Sequence, residues 1–536
     1  MGRETNIDSI RVLEEEIREH ERAVIRLKRA RNSLLNISKL PPELLGKIFH
    51  CNVAPKGDFD GLDKRSHNFL FVCHHWFEVT SRTPELWSFW GNTLKDWTRW
   101  CRRSGTAPLD LVLDDEDEDD PYDYDFNDAA LCDALRDHAA QGTIRRVHLN
   151  TLNYYLGSII NLLTADRGEP RPNGIESIIL WNDSLNPPDV SSFFAHSRFP
   201  KLRRLELNYC STSSWDHLIS QTSVLTTLTL DFNKPSSTPT TSQLLSILAS
   251  NPALQKVELT DCAVPNDGDR QSSVRVQLHH LKELRLDGDL RHVVGLLDKL
   301  DHPRNMDSLS LVLHDSDVTD ISQSIGPCLR DHLQRRDRPR SGLNLRVFSS
   351  DAPEDWKGHI EFGVGVAGGI DFSAPEWEQM NSFVKIAIFL KVEPPERELG
   401  RAALDLITYA PLEEVVYFHA QTIPIVLEDV HARLPNLRAL SFSMVSFPAE
   451  FPGLRLIEDG KIFPSLEHVL LSNVAVDHHD WSPLATFLAY RMSSGNRLDT
   501  LAIVGSSRVS GQVVEDIRSV VRELSLSWGL GTQNMR

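Results

Sequence analysis

Apolar positions change their spacing twice along the chain. In residues 8–34, Ile10, Leu13, Ile17, Val24, Leu27 and Leu34 follow steps of three and four, with His20 and Arg31 interrupting the seam. This is the heptad stripe of a helix that meets another helix. About four heptads are marginal as an isolated helix, so the segment either pairs with a second copy or packs on the rest of the chain. Arg26, Lys28, Arg29 and Arg31 read as a solvated helix face rather than a nuclear signal.

A second regime follows in ISKLPPELLGKIF. Pro41 and Pro42 suit a helix start, where a backbone N–H has no intrahelical partner, and Glu43 suits the positive helix end. Leu44, Leu45, Ile48 and Phe49 are expected on one face of this helix. Phe69, Val72, Cys73 and Trp76 are expected on one face of a second helix, NFLFVCHHWFEVTSR. Two short amphipathic helices with such faces must meet. TPELWSFW then brings Pro84, Leu86 and Trp87, and DWTRWCRR places Trp97, Trp100 and Cys101 on one side of a further helix.

From about Pro108 onward one pattern recurs: apolar, two variable positions, apolar, one variable, apolar. Copies include Ile175-Ile178-Leu180, Leu202-Leu205-Leu207, Leu225-Leu228-Leu230, Leu254-Val257-Leu259, Leu281-Leu284-Leu286 and Met306-Leu309-Leu311. Further copies are Leu412-Val415-Tyr417, Leu437-Leu440-Phe442, Leu466-Val469-Leu471 and Leu498-Leu501-Ile503. The middle residues from 178 to 309 are separated by 27, 23, 29, 27 and 25 positions, close to the leucine-rich-repeat period of roughly 20–29. Helix-like stretches such as SQLLSILASNP lie between them. Each repeat is therefore a strand plus a helix, and stacking of neighbours predicts a curved α/β solenoid. Spacing loosens around 312–382, where RDHLQRRDRPRSG and FGVGVAGGIDF intervene, so an insertion, irregular repeats or a seam is expected there.

Leu40-Pro41-Pro42-Glu43-Leu44-Leu45, Ile48-Phe49, Val72-Cys73 with Trp76, and Pro84-Glu85-Leu86-Trp87 together resemble the F-box module in content and order. The further run DWTRWCRRSGTAPLDLVLD and the N-terminal heptads are similar to the layout of fungal F-box proteins with a degenerate leucine-rich-repeat C-terminal part. HCNVAPKGDFDGLDKRSHN, with Gly57 and Gly61, departs from that pattern as a longer connection. The resemblance implies docking onto a Skp-type adaptor of a cullin–RING ubiquitin ligase. The residues so implicated are Leu40, Pro41, Pro42, Leu44, Leu45, Ile48, Phe49, Val72, Cys73, Trp76, Leu86 and Trp87, while the repeats would select a substrate protein not identified by sequence. Independently of family, a unit of about 50 residues buries too little apolar surface for comfortable stability alone. Some of its apolar surface is therefore expected to meet a partner.

The expected organisation is a heptad helix over 1–36, an F-box-like helical module with an insertion and a linking helix over 37–107, and a leucine-rich-repeat-like α/β solenoid over 108–536. Residues 8–34 are a candidate self-association segment.

Composition narrows the function classes. A formal net charge of -18 argues against nucleic acid or an anionic membrane as the main partner. Seven scattered cysteines with no Cys-x-x-Cys pair argue against a disulfide framework or zinc ribbon and for a reducing compartment. The N-terminus has no apolar signal core and no apolar run reaches the roughly 20 residues of a bilayer span. Cytoplasm or nucleus, or both, is the expected location.

Several strings suggest chemistry and lack its context. Gly363-x-Gly365-x-x-Gly368 matches a dinucleotide fingerprint by letters, but Pro375 follows in IDFSAPEW and the βαβ setting is missing. The run Asp114 to Asp120, with Asp123 and Asp125, lacks the spacing of a calcium loop and reads as a repelling loop that could attract a basic patch. Cys73-His74-His75, His279-His280 and His478-His479 have no second ligand pair at zinc spacing. Neither Gly-x-Ser-x-Gly nor His-Glu-x-x-His occurs. No cofactor, metal or catalytic residue is expected, and the protein reads as a non-enzyme that acts by positioning.

The residue between the second and third apolar positions points away from the repeat core. These residues are Ile179, Glu206, Thr229, Glu258, Arg285 and Ser310, then Ala387, Val416, Ser441, Leu470 and Ala502. The second set is more apolar, which places the expected substrate site around Val416, Ser441 and Leu470. The alternative function is a repeat scaffold that never enters a ligase, with the F-box-like helices as a cap.

Overall fold

The computed structural model describes residues 4–53, 68–91, 97–114, 129–150, 153–164, 171–172, 174–182, 189–195, 197–212, 215–232, 238–261, 275–301, 306–314, 323–327, 329–330, 343–349, 358–366, 382–390, 405–406, 408–409, 412–421, 427–443, 446–447, 463–472, 475–476, 482–504 and 511–527. The chain divides into two compact units, Met1–Leu225 and Thr226–Arg536. The division falls inside the repeat segment rather than at its start. Both units are of the α/β class, built on largely parallel strand ladders.

The first unit opens with helix α1 (Glu4–Ser33), a 3-10 turn (Asn36–Lys39), α2 (Pro42–Val53), a second 3-10 turn (Asn68–Phe71), α3 (His74–Ser81) and a third (Pro84–Trp87). Strands β1 (Phe89–Gly91), β2 (Leu109–Asp114), β3 (Ile144–Asn150), β4 (Ser177–Trp181) and β5 (Arg204–Asn208) follow, and they pair in that order, all parallel. Helices α4 (Trp97–Ser104), α5 (Ala129–Gln141), α6 (Asn153–Thr164) and α7 (Ser191–Ala195) lie in their four connections, α8 (Trp215–Gln221) follows β5, and the five pack successively against one another. Parallel neighbours need such crossovers. Because β1 pairs with β2, the ladder begins at Phe89, inside the segment expected to be a purely helical module.

The second unit runs β6 (Thr227–Asp231), α9 (Thr241–Ser250), β7 (Lys256–Thr260), β8 (Glu283–Asp289), α10 (Leu290–Leu297) and β9 (Ser308–His314). It continues with β10 (Leu343–Ser349), β11 (Gly358–Val366), β12 (Ser382–Leu390), β13 (Val415–Gln421), α11 (Leu427–Arg433), β14 (Ala439–Ser443), β15 (His468–Ser472), α12 (Ser482–Ser493), β16 (Thr500–Val504), α13 (Gly511–Val520) and β17 (Glu523–Ser527). Its spatial order is β6-β7-β8-β9-β12-β11-β10-β13-β14-β15-β16-β17. Among the described strands of this ladder only β11 is antiparallel to its neighbours. The loosened interval is thus a reversed three-strand excursion set into a parallel ladder.

Cross-strand register follows the repeat pattern. Leu228, Val257, Leu284 and Leu309 are successive partners, as are Ile178 and Leu205, and all six are buried. One kind of backbone bond recurs at the start of six strands of the second unit. Gln255 N–H donates to Thr226 O at 2.8 Å, Lys282 to Gln255 at 2.7 Å and Asp307 to Lys282 at 2.6 Å. Glu467 donates to Arg438 at 2.7 Å, Asp499 to Glu467 at 2.8 Å and Glu523 to Asp499 at 2.9 Å. Local caps agree with the pattern: Thr240 and Gln243 close a reciprocal capping box on α9, and the Asp289 carboxylate accepts from Arg291 N–H on α10. The buried Arg491 of α12 donates to the carbonyls of Phe463 at 2.7 Å and Leu466 at 2.6 Å, tying the helix to the segment that leads into β15. Burial lowers its pKa to about 10.

In the first unit Asp110 of β2 is buried. Its N–H donates to Ser88 O at 2.8 Å, and Arg145 forks onto its carboxylate at 2.9 and 2.6 Å. Asp110→Ala strips a buried guanidinium-facing acceptor. Urea denaturation followed by tryptophan fluorescence should show a loss of about 3 kcal/mol, at the low end for broken buried pairs, since the Arg145 side chain stays 32% exposed. An unchanged midpoint would mean the fork contributes nothing.

Candidate protein-docking surface

Helix α2 starts where the two prolines predict. The Pro41 carbonyl accepts from Leu44 N–H at 3.0 Å and Leu45 N–H at 3.1 Å, so Pro42 occupies the first helical position. Leu45, Phe49 and Val53 are buried, on one stripe at a spacing of four. The Phe49 ring stacks on Phe69 with centroids 4.8 Å apart and tilts against Trp76 at 4.9 Å. Leu44 and Ile48 do not share that face. They lie on the adjoining stripe, 47% and 49% exposed.

The second segment also departs from a single helix. Asn68–Phe71 forms a 3-10 turn, and α3 begins only at His74 because Cys73 is extended (φ -161°, ψ 166°). The extended residue breaks the helical phase. Phe69 turns inward, Trp76 and Cys73 are half-buried, and Val72 faces out at 56% exposure beside Phe71 at 85%.

Leu86 and Trp87 belong to the joint with the ladder. Trp87 Nε1 donates to Thr80 O at 2.8 Å, its ring meets Trp100 edge-on at 4.9 Å, and the Arg103 guanidinium lies 4.2 Å over it. Phe89 and Trp90 continue this buried joint. Of the sequence-predicted docking residues, Leu45, Phe49, Leu86 and Trp87 are interior, Leu40, Cys73 and Trp76 are half-buried, and Pro41, Pro42, Leu44, Ile48 and Val72 are exposed. Sequence reasoning missed Leu35, Ile37 and Phe71, all exposed. The continuous run FLFV was the available signal, because four adjacent apolar residues cannot all face one core.

No protein-family model matches the chain, and no curated protein matches it.

At the C-terminal strands the expected substrate patch is corrected. His419, not Val416, is the register partner of Ser441, and Ser441 pairs with Leu470, which pairs with Ala502. Phe418, not Val415, pairs with Leu440. The in-register template is therefore Val415-Phe418-Ala420, three residues later than Leu412-Val415-Tyr417, because Leu412–Glu414 forms a 3-10 turn before the strand. Ser441 is 1% and Leu470 8% exposed. His419 Nδ1 lies 2.9 Å from Ser441 Oγ, and Tyr417, Ala439, Leu470 and Ala502 form a buried cluster. Likewise Lys385, not Ala387, pairs with Ser310.

The remaining strings fall in these places. Gly363 lies in antiparallel β11 between Arg346 and Lys385, and Gly368 lies outside the described residues. His74 Nδ1 is 3.5 Å from Glu78, and His279 is 3.3 Å from Gln277. His478, His479, the acidic run beyond Asp114 and the loop over 54–67 lie outside the described residues. No described helix is long and apolar enough to cross a membrane.

The second unit holds an acidic group that the sequence did not single out. Asp261, Asp287 and His314 present ligand-type atoms within 4.8 Å of one another. Asp287 is buried and already faces His314 Nε2 at 3.0 Å. Three donors are one short of a closed structural transition-metal site, and the charges of the group act on one another. Burial, then repulsion from Asp261, Asp287 and Glu258, pushes the Asp231 carboxyl up to about 6, with Arg285 opposing. Asp261 is raised by burial and by Asp287, with His314 opposing. A folded-state pKa above the unfolded value of about 3.9 means the native state holds an extra proton, so stability falls as pH rises from about 4 to 6. Asp231→Asn should raise the melting temperature at neutral pH and flatten that decline, as read by circular dichroism at pH 5 and 7.5. A variant melting lower at both values would contradict this.

Proposed function

We propose that this chain is a substrate receptor of a Skp–cullin–F-box type ubiquitin ligase, with the exposed stripe of its first helices docking the Skp-type adaptor and a curved leucine-rich-repeat-like solenoid holding the substrate protein. The observation that carries the reading is the apolar residue set Leu44, Ile48, Phe71 and Val72, left exposed beside the Phe49–Phe69–Trp76 stack that already forms the module's own core. Exposed apolar surface concentrated in so short a segment marks an interface. The recurring pre-strand backbone bond and the in-register leucine columns support a stacked-repeat reading. Such a protein makes no bonds. It raises the effective concentration of a substrate lysine beside an enzyme held elsewhere in the complex.

With Ser441 and Leu470 closed off, the substrate face in this reading moves to the charged strands β7 and β8. Arg285 and Glu258 pair there at 3.3 Å and keep 49% and 21% of their side chains exposed. The buried joint at Leu86, Trp87, Phe89 and Trp90 favours the second reading, a repeat scaffold in which the same helices cap the ladder.

Capture of a fungal Skp-type adaptor by the full chain separates the two. Leu44→Asp with Ile48→Asp changes only exposed positions and should weaken capture by more than about tenfold, with melting unchanged. Absence of capture by the folded wild-type chain would leave the scaffold.

A further inference from the structure

Helix α1 spans 30 residues, about 45 Å at 1.5 Å per residue, and its substantial packing within the described chain is against the 3-10 turn that follows it. Its seam is uncovered: Ile10, Leu13, Ile17, Val24 and Leu27 are 48–71% exposed, and Leu34, just past its last residue, is 76% exposed. A polar, isolated helix would have no use for this stripe.

The charges along α1 are sorted by position. Glu4 to Glu21 carries seven carboxylates against two arginines, a net of -5, whereas Arg22 to Arg31 carries five cations and no carboxylate, a net of +5. The helix macrodipole favours this order only within the first and last turns. Intrahelical pairs account for Arg18 with Glu14 and Glu15 at 3.5 and 2.8 Å, and for Arg22 at 3.8 Å from Glu15. Among the described residues Arg26, Lys28 and Arg29 have no carboxylate of their own helix in ion-pair range.

We propose that α1 pairs with α1 of a second copy of this chain, in antiparallel orientation. Setting Ile10 opposite Leu34 of the second copy brings Ile17 opposite Leu27, so four seam positions meet apolar partners, while Val24 faces His20 and Leu13 faces Arg31, so neither interrupting residue meets its own copy in a two-stranded coil. The acidic half of each helix then runs beside the basic half of the other. Parallel, in-register pairing would put Arg31 against Arg31 and His20 against His20 in the seam and face Glu16 with Glu21 across the flank. Like-charge opposition of this kind selects orientation. Pairing through α1 is independent of the adaptor reading, since it uses none of the residues of α2.

Two measurements on the full chain test the proposal. Sedimentation velocity should show a dimer that dissociates more readily in high salt, by several-fold in Kd, and that Ile17→Asp with Leu27→Asp, which sets like charges opposite each other, converts to monomer without changing the melting temperature. For orientation, Ile17→Cys and Leu27→Cys chains are oxidised singly and as a mixture, against the wild-type background from native thiols such as exposed Cys51. A covalent dimer above that background only in the mixture supports antiparallel pairing. Cross-linking of either variant alone would show parallel pairing, and a monomeric wild-type chain would show none; either result overturns the proposal.

Discussion

Everything in the two ladders depends on one constraint: a strand of five or so residues cannot bury its own apolar side and must borrow cover from the strand beside it. Leu228, Val257, Leu284 and Leu309 satisfy that constraint as successive partners. The N–H two residues ahead of Val257, Leu284 and Leu309 reaches back to the segment before the previous strand, which fixes the register that keeps these columns aligned. A one-residue slip would turn every column to the other face. The same constraint explains why polar partners on the opposite face are themselves paired, as His148 is with Ser177 at 2.9 Å and His419 with Ser441 at 2.9 Å.

The short helices ahead of the ladder divide their apolar residues differently. One set is consumed internally, in the Phe49–Phe69–Trp76 stack and in the Trp87–Trp90 joint where the chain enters β1. A second set, from Leu34 to Val72, is left outside. The helix with the most uncovered seam, α1, and the module with the most uncovered stripe are neighbours in sequence. In the proposed adaptor, that stretch carries the contacts that assemble the complex, and the ladder carries recognition.

Much of this is legible in the sequence, because the apolar template is a statement about burial. A residue that must be apolar at every 23–29 positions in order to cover its neighbour leaves a periodic trace, and the paired columns follow it. Where the trace failed, a local substitution hid it. The third template position at β13 is Ala420, a weak apolar signal, so the letters of Leu412-Val415-Tyr417 matched better than the in-register Val415-Phe418-Ala420. That shifted Val416 into a place held by His419. Helical periodicity likewise groups Leu44, Leu45, Ile48 and Phe49 together, since all fall within one broad arc. Which half of that arc is covered depends on Phe69 and Trp76, brought in by a 3-10 turn and an extended Cys73 that no periodicity announces. The mutual repulsion of Asp231, Asp261 and Asp287 was invisible for a simpler reason: the three are distant in sequence and converge only once β6, β7 and β8 stand side by side.

The measurement that bears most directly on the central claim is hydrogen–deuterium exchange of the full chain with and without a Skp-type adaptor. The account predicts slowed exchange confined to α2 and the segment from Phe69 to Phe77, with the ladder amides of β6 to β9 unchanged. Protection appearing in the ladder while α2 exchanges as before would contradict it, because the exposed stripe of the first helices would then not be the docking surface.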